Sequence, residues 1–427
     1  MKKLLSYLLI ATMLICSFSV VGCNDEIIDV YEEPKTEATE KETQKPTEKP
    51  TEKATEKPTE KPEDDEKEQI TDGKIRIGMT APLSDDAALF GMAVQRGANI
   101  AVKEINEAGG INGVELVLTV YDDKNKAENV VELYEKLVDE GMQISLGSVT
   151  SNCCKVFAEN AEKDGMFVLT PSATNLDVFE YDRLYGMDMA YMEEMDILID
   201  YLHSLNSGKS VPIIYNGDYP YAVERKDYLL EKSPDLFKND LIIDDEFYWD
   251  ETDWDMLNPF LEYDNFVVLD YLDNTSLDMI AGDIEFLSDE DKNFIGVCTD
   301  YDFKWGMVID QGATVLLPFD INERKGDYAE FFDKYYDIGY DNALVALGYD
   351  AVYAIYEALL LAIENGKEIS PEMTAAEFGE ILDGIFADGF EFDALTGGEG
   401  DGRGMVTWNA DGRVKKKLVP VKFEYDF

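Results

Sequence analysis

One histidine, His203, serves a chain of 427 residues. That scarcity removes a Ser-His-Asp triad, a multi-histidine zinc site and a histidine proton shuttle from consideration. His203 itself lies in a helical apolar pattern, Asp196 to Leu205, which gives it a surface or packing place. Basic residues are also scarce: 37 Lys and Arg stand against 90 Asp and Glu, a net charge of −53. Phosphate binding runs on Lys and Arg, so nucleic acid is excluded as a partner, and so is docking of the body on an anionic lipid surface. Only five cysteines occur. What the chain does have is apolar material, 45% of its residues, enough for a sizeable core spread over two or three units.

Lys2 and Lys3 precede an apolar run from Leu4 to Val21, the charge and hydropathy pattern of a secretory signal. Its end, Val20-Val21-Gly22-Cys23, resembles the lipobox of bacterial lipoproteins. The resemblance implies removal of residues 1–22 and diacylation of Cys23, and two acyl chains give stable membrane attachment. A transmembrane anchor is the competing reading, and the segment is at the short limit of a span.

Residues 23–73 are then a lipidated cysteine and a tether. The repeats Thr47-Glu48-Lys49-Pro50 and Thr59-Glu60-Lys61-Pro62 give it almost nothing to bury. Regular proline and mixed charge favour an extended, solvated chain, reaching roughly 150 Å at about 3.1 Å per residue. From Asn24 to Gly73 there are 18 acidic and 8 basic residues, so most of the negative charge, about −45, belongs to the body that follows. Self-repulsion of that size favours solubility and a monomer.

The body alternates strand and helix patterns. Strands are expected at Lys74–Thr80, Val114–Tyr121, Met142–Leu146, Met166–Leu169, Val211–Tyr215, Leu241–Phe247, Phe266–Leu269 and Asn293–Val297. Helices are expected at Gly91–Ala108, Ala127–Glu140, Cys154–Lys163, Ala222–Glu231, Leu277–Phe286 and Tyr349–Glu364. This rhythm implies parallel β-α-β units, too many for one ordinary sheet. Two doubly wound parallel-sheet lobes of an α/β protein fit, with a ligand cleft between their strand ends.

A family resemblance sits on these elements. Ile75-Arg-Ile-Gly-Met-Thr-Ala-Pro-Leu-Ser84, Phe90-Gly91, Arg96-Gly97 and Ala101-Val-Lys-Glu-Ile-Asn-Glu-Ala-Gly-Gly-Ile-Asn-Gly113 resemble branched-chain amino-acid-type substrate-binding proteins. The likeness continues through Tyr121-Asp122-Asp123, Gly147-Ser-Val-Thr-Ser151 and Thr170-Pro-Ser-Ala-Thr-Asn175, and thins afterwards. The resemblance implies the type I periplasmic binding protein fold, two lobes joined by a three-strand hinge. It places the crossovers near Tyr185–Ala190, near Leu316–Phe319, and in the glycine-rich stretch after Thr396. The first lobe is then 74–187 with 318–395, and the second is 188–317 with 402–427. It also implies a protein that is no enzyme and needs no cofactor. Such a protein captures a small amino-acid-like ligand and delivers it to an ABC permease, here from the extracellular face of the cell membrane. A sensor or adaptor that presents the same fold to a receptor, an enzyme with paired carboxylates, and a surface adhesion or scaffold protein are the rival readings.

The candidate ligand residues follow. The Gly147–Asn152 loop leads from a strand into a helix, where hydroxyls and backbone N–H groups attract a carboxylate. By position the resemblance carries ligand contacts onto Ser151 there and onto Ser172, Ala173 and Thr174 in the next strand-end loop. Taken singly, each Ser or Thr reads as an ordinary helix cap. Phe90 matches an aromatic that packs on the ligand from the first lobe. Tyr221 matches a tyrosine after the first strand of the second lobe, although Ala222 stands where the family has glycine. Tyr271 would line the same wall. Asp300 would pair an ammonium group, with Thr299 or Cys298 as the alternatives in that loop. No cluster of Lys or Arg stands at these strand ends, which favours a zwitterion over a phosphate or a dicarboxylate.

Of the cysteines left after processing, Cys153 and Cys154 are adjacent and resist bridging each other. An odd trio with Cys298 leaves at least one free thiol, and a disulfide across the cleft would lock it; buried thiols are the expected state. No metal site is expected. Tyr121–Glu128 lacks the glycine and spacing of a calcium loop, and Asp411-Gly412 reads as a hairpin turn.

Overall fold

The computed structural model describes residues 72–85, 87–205, 209–218, 220–238, 240–243, 257–269, 283–284, 286–288, 292–297, 313–318, 326–335, 343–399 and 402–422. The expected signal, Cys23 and the expected tether as far as residue 71 lie outside them.

The first sheet has the order β2-β1-β3-β4-β5, all parallel: β1 (Lys74–Ala81), β2 (Glu115–Asp122), β3 (Ile144–Ser148), β4 (Val168–Thr170) and β5 (Leu184–Gly186). Central strands of such a sheet are covered on both faces, and their sequences are apolar runs accordingly. β3 is buried along its whole length. Between the strands run α1 (Ala88–Glu107), α2 (Ala127–Asp139) and α3 (Ser151–Lys163). α1 turns Val94, Ala98, Ala101 and Ile105 inward, and Gly109 and Gly110, both at positive φ, end the turn that follows it.

The second sheet has the order β14-β10-β9-β8-β6-β7. Its parallel strands are β6 (Ile213–Asn216), β7 (Asp240–Ile243), β8 (Asn265–Leu269), β9 (Asn293–Val297) and β10 (Thr314–Leu317). β14 (Val419–Lys422) closes the edge antiparallel to β10. α4 (Tyr191–Ser204) and α5 (Pro220–Lys232) belong to this half; their buried Met195, Leu198, Ala222 and Leu229 share a core with Ile213 and Val267. His203 is exposed in the last turn of α4.

The chain returns to the first core with α6 (Gly326–Lys334), α7 (Ala343–Glu364) and α8 (Ala375–Ala387). α7 is long and apolar enough to span a membrane, but 72% of its apolar window is buried inside the protein, so it is a core helix here. It crosses α1 backbone to backbone at two glycines. A Cβ on Gly97 would lie 1.8 Å from the Val345 carbonyl oxygen, and one on Gly348 would lie 2.2 Å from that of Val94.

The third crossover differs from expectation. β11 (Phe392–Glu399), β12 (Gly402–Trp408) and β13 (Val414–Lys415) form a small antiparallel sheet that stays with the first core. Val406, Trp408 and Val414 are buried there, and the Trp408 indole N–H donates to the Gly186 carbonyl at 2.6 Å. The chain therefore joins the second sheet only at Val419–Lys422, not from Gly402. The glycines after Thr396 mark crowding rather than a hinge. A Cβ on Gly397 would meet the Gly404 carbonyl at 2.0 Å, and one on Gly398 the Lys417 carbonyl at 1.8 Å.

Candidate functional site

The strand ends of the first sheet are laced together by side chains. β3 bulges at Gly147, at φ +65, whose N–H donates to Ser145 Oγ at 2.7 Å, before Ser148 pairs with Thr80. The chain then enters α3 at Ser151. Ser151 Oγ accepts from the backbone N–H of Thr174 at 3.1 Å and of Asn175 at 3.3 Å. In return, Ser172 Oγ donates to the Val149 carbonyl at 2.9 Å, and Thr170 Oγ1 donates to that of Ser148 at 3.1 Å. The two loops singled out from sequence are thus one hydrogen-bonded unit.

Within that unit the residues differ in what they can offer. Ser151 is buried, and Ser172 and Thr174 are half-buried. Ala173 is fully buried among Cys153, Cys154 and Phe157, so its methyl serves the core and only its backbone is available to a ligand. Asn175 adds a side-chain oxygen that is buried without a hydrogen-bond partner. Asn175 closes the Thr170–Asn175 motif and joins the candidates there; an amide following three loop residues is its signal in the sequence.

Neighbouring acids fix the loops further. Asp122 accepts from the Leu83 N–H at 2.9 Å and from Ser84 Oγ at 2.6 Å, pinning the turn that precedes Phe90. Burial raises its pKa, but the hydrogen bonds from Ser84, Leu83 and Lys124 outweigh that and hold it below the usual range. Asp123 is fully buried and accepts from Ser148 Oγ at 2.8 Å; there burial wins and pushes the carboxyl up. Phe90 is half-buried and packs on the first core, while Leu89 and Met92 beside it are about half exposed.

From the second half of the molecule, Tyr221 meets this unit. It stands in the first turn of α5, near Ser151 and Asn175. Burial is the main reason its pKa is raised. Behind it lies a pair that sequence reasoning missed. The Arg225 guanidinium sits 6.0 Å from the Tyr221 ring centre and 5.4 Å from that of Tyr191, and it pairs with Glu194 at 3.3 Å. Both charged side chains are almost fully buried. Tyr271 and Asp300, with Thr299 and Cys298, lie outside the described residues.

Cys153 and Cys154 are buried free thiols, both pushed up to about 11 chiefly by burial, so neither is poised as a nucleophile. Among the described residues no His, Cys, Asp or Glu group has the arrangement to hold a metal. The arrangement offers hydroxyls and amides on one side and a tyrosine on the other, the chemistry of reversible recognition of a small polar molecule.

Comparison with known proteins fits this geometry. Residues 74–230 match the sequence family described as periplasmic binding protein. Leu/Ile/Val-binding protein homolog 3 of Brucella melitensis is 31% identical over 147 residues, 33% of this chain and 39% of that protein. The leucine-, isoleucine-, valine-, threonine- and alanine-binding protein of Pseudomonas aeruginosa is 33% identical over 100 residues, 23% of this chain and 27% of that protein. The matched stretches thus span about two fifths or less of these relatives' lengths. Solved structures extend the likeness along the body. The Streptococcus pneumoniae branched-chain amino acid transporter substrate-binding protein LivJ, in complex with isoleucine, superposes with a TM-score of 0.57 at 21% identity, covering 81% of this chain and 99% of that one. The Thermotoga maritima leucine-binding protein LivK gives 0.60 at 17% identity, covering 81% and 96%. The fold is that of the type I periplasmic binding proteins.

Proposed function

We propose that this chain is a solute-binding protein that captures an amino acid between its two halves and passes it to an ABC importer. The observation that carries the reading is the laced pair of loops, Ser151 with Thr174 and Asn175, met from the other half by Tyr221. The first loop opens α3, so its backbone N–H groups suit the α-carboxylate. A ligand that touches both halves only when they are closed biases the hinge toward closure, and no covalent chemistry is needed. Ser151, Ser172, Thr174 and the Ala173 backbone would take the polar end of the ligand, with Phe90, Tyr221 and Tyr271 as walls and Asp300 toward the ammonium. The relatives bear names for leucine, isoleucine and valine, which makes those the first ligands to try. The lipobox-like Val20-Val21-Gly22-Cys23 and the tether that follows support anchoring through Cys23 on the outer face of the cell membrane, with the body working as a monomer.

The test is a thermal-shift and calorimetric screen of the purified chain, stripped of co-purified solute, against the common amino acids. A ligand at a hundred times its Kd stabilises the native state by about 2.7 kcal/mol, a readily measured shift. Ser151→Ala removes the acceptor for two backbone N–H groups and the group that meets Tyr221. It should weaken binding of the best ligand by roughly ten- to a hundredfold, the cost of about 1–3 kcal/mol for leaving buried donors unpaired. Absence of any saturable binding across the amino acids, or full affinity in Ser151→Ala, defeats the proposal.

A further inference from the structure

The buried Arg225–Glu194 pair has no place in the binding unit described above, yet it stands directly behind Tyr221. Arg225 follows Tyr221 by four residues on α5, so both side chains share one helix face. Its guanidinium lies over two tyrosine rings, Tyr191 of α4 at 5.4 Å and Tyr221 at 6.0 Å. Glu194, on the first turn of α4, holds it from the other side at 3.3 Å. The exposure of the two charged side chains is 5% and 2%. Water is therefore largely excluded, and each ring face meets a fixed charge at short range.

We propose that Arg225 is a positioning residue of the binding site: anchored by Glu194, its guanidinium lies over Tyr191 and Tyr221 and sets the angle at which Tyr221 faces Ser151 and Asn175. The inference rests on the solute-binding reading for its consequence, though not for its geometry. The broad guanidinium matters here, because a lysine ammonium keeps the charge but is a compact point that cannot lie over two rings while pairing a carboxylate. Lys416, a buried lysine on the segment that joins β13 to β14, donates to Thr396 Oγ1 at 3.1 Å.

The experiment uses Arg225→Lys, Tyr221→Phe and the double variant in the full chain. Arg225→Lys retains a partner for Glu194, so folding is preserved. Affinity for the best amino acid from the screen should fall about tenfold in Arg225→Lys. It should fall less than twofold when the same change is made on Tyr221→Phe, where there is no hydroxyl left to aim. An equal loss in both backgrounds would mean a general structural role and overturns the inference, as would unchanged affinity in Arg225→Lys. A second readout needs no ligand. In protein labelled with 13C at the tyrosine ring carbon bearing the hydroxyl, the Tyr221 resonance, identified by its loss in Tyr221→Phe, should shift in Arg225→Lys. The Tyr134 resonance, from a buried tyrosine whose hydroxyl donates to Asp164 at 2.8 Å, should stay in place. A Tyr221 resonance that does not move overturns the inference even if no amino acid binds, whereas a shifted resonance without binding leaves the positioning role standing and defeats only the solute-binding reading.

Discussion

Alanine substituted for glycine should have opposite effects at two helical positions of this protein. Gly348 lies in α7 where that helix crosses α1; a Cβ there would sit 2.2 Å from the Val94 carbonyl oxygen and 3.0 Å from its carbon. Carbon and oxygen tolerate each other at about 3.3 Å, so the helices must separate by about 1 Å. The obstacle is backbone inside a helix, which cannot rotate away as a side chain would. α7 also carries Asp350, whose carboxylate accepts from the Leu395 N–H at 2.9 Å and from the Thr396 N–H and Oγ1 at 2.8 Å each, and moving α7 loosens all three. Overpacking of this kind costs about 1–3 kcal/mol, occasionally more, against a helix-propensity gain of at most about 1. We expect Gly348→Ala to lose about 2–3 kcal/mol. Gly384 in α8 has open space where its Cβ would go. There the propensity gain stands alone, and Gly384→Ala should gain about 0.5–1 kcal/mol. Urea denaturation of both variants measures the difference as a shift in midpoint at constant slope. Gly348→Ala within about 0.5 kcal/mol of the parent, or a destabilised Gly384→Ala, would refute the reasoning.

Two further outcomes are expected. Glu104 on α1 accepts from Lys334 and Tyr335 at one oxygen and from Tyr349 and Tyr353 at the other; burial raises its pKa, but these hydrogen bonds and the Lys334 charge prevail and hold it at about 2 against an ordinary 4.5. A depressed acid contributes stability above its unfolded pKa, so after solvent screening roughly 1–2 kcal/mol should be lost as pH falls from 4.5 toward 2; Glu104→Gln should be less stable than the parent at neutral pH by that amount, and a gap that does not narrow in acid would count against it. Thr374 caps α8, accepting from the Glu377 N–H while Glu377 reaches back to the Thr374 N–H, so Thr374→Ala should lower stability by about 1 kcal/mol and Thr374→Ser should recover most of it in thermal melts.

The alternation of strands and helices was legible because a parallel sheet covered on both faces leaves uninterrupted apolar runs. Ile75, Ile77 and Met79 announce β1, and Phe294 and Ile295 announce β9. The third crossover falls later than the resemblance placed it, because the glycine-rich 397–404 stretch belongs to a crowded strand pair and not to the passage between the sheets. A hinge needs freedom, and a crowded strand pair needs the absence of a Cβ; composition does not distinguish them. Only the neighbours do, the Gly404 and Lys417 carbonyls at 2.0 and 1.8 Å from the missing carbons. α1 likewise begins at Ala88 rather than at the expected Gly91. Gly91 packs against the Pro82 carbonyl inside the helix and does not start it.

The candidate site divides along a similar line. Ser151 and Thr174 sit in short motifs at consecutive strand ends, so their meeting follows from parallel topology alone. Arg225 and Glu194 do not, since 31 residues and a change of helix separate them. The chain has 90 acidic residues, and nothing in the sequence tells which of them lose their water. Among the described residues the acids that do are Asp123, Asp188, Glu194 and Asp350. Asp123 supports the β3 strand end, Asp188 lies on the passage from β5 to α4, Glu194 backs the tyrosine wall, and Asp350 holds β11 where it nears Lys416. Burying a charge is costly unless it is paired or hydrogen-bonded, so a chain this acidic has no thermodynamic reason to bury acids at random. The four stand instead at a strand end, on the passage from β5 to α4, in the first turn of α4 and against β11, places whose geometry would have to hold under the closure proposed above.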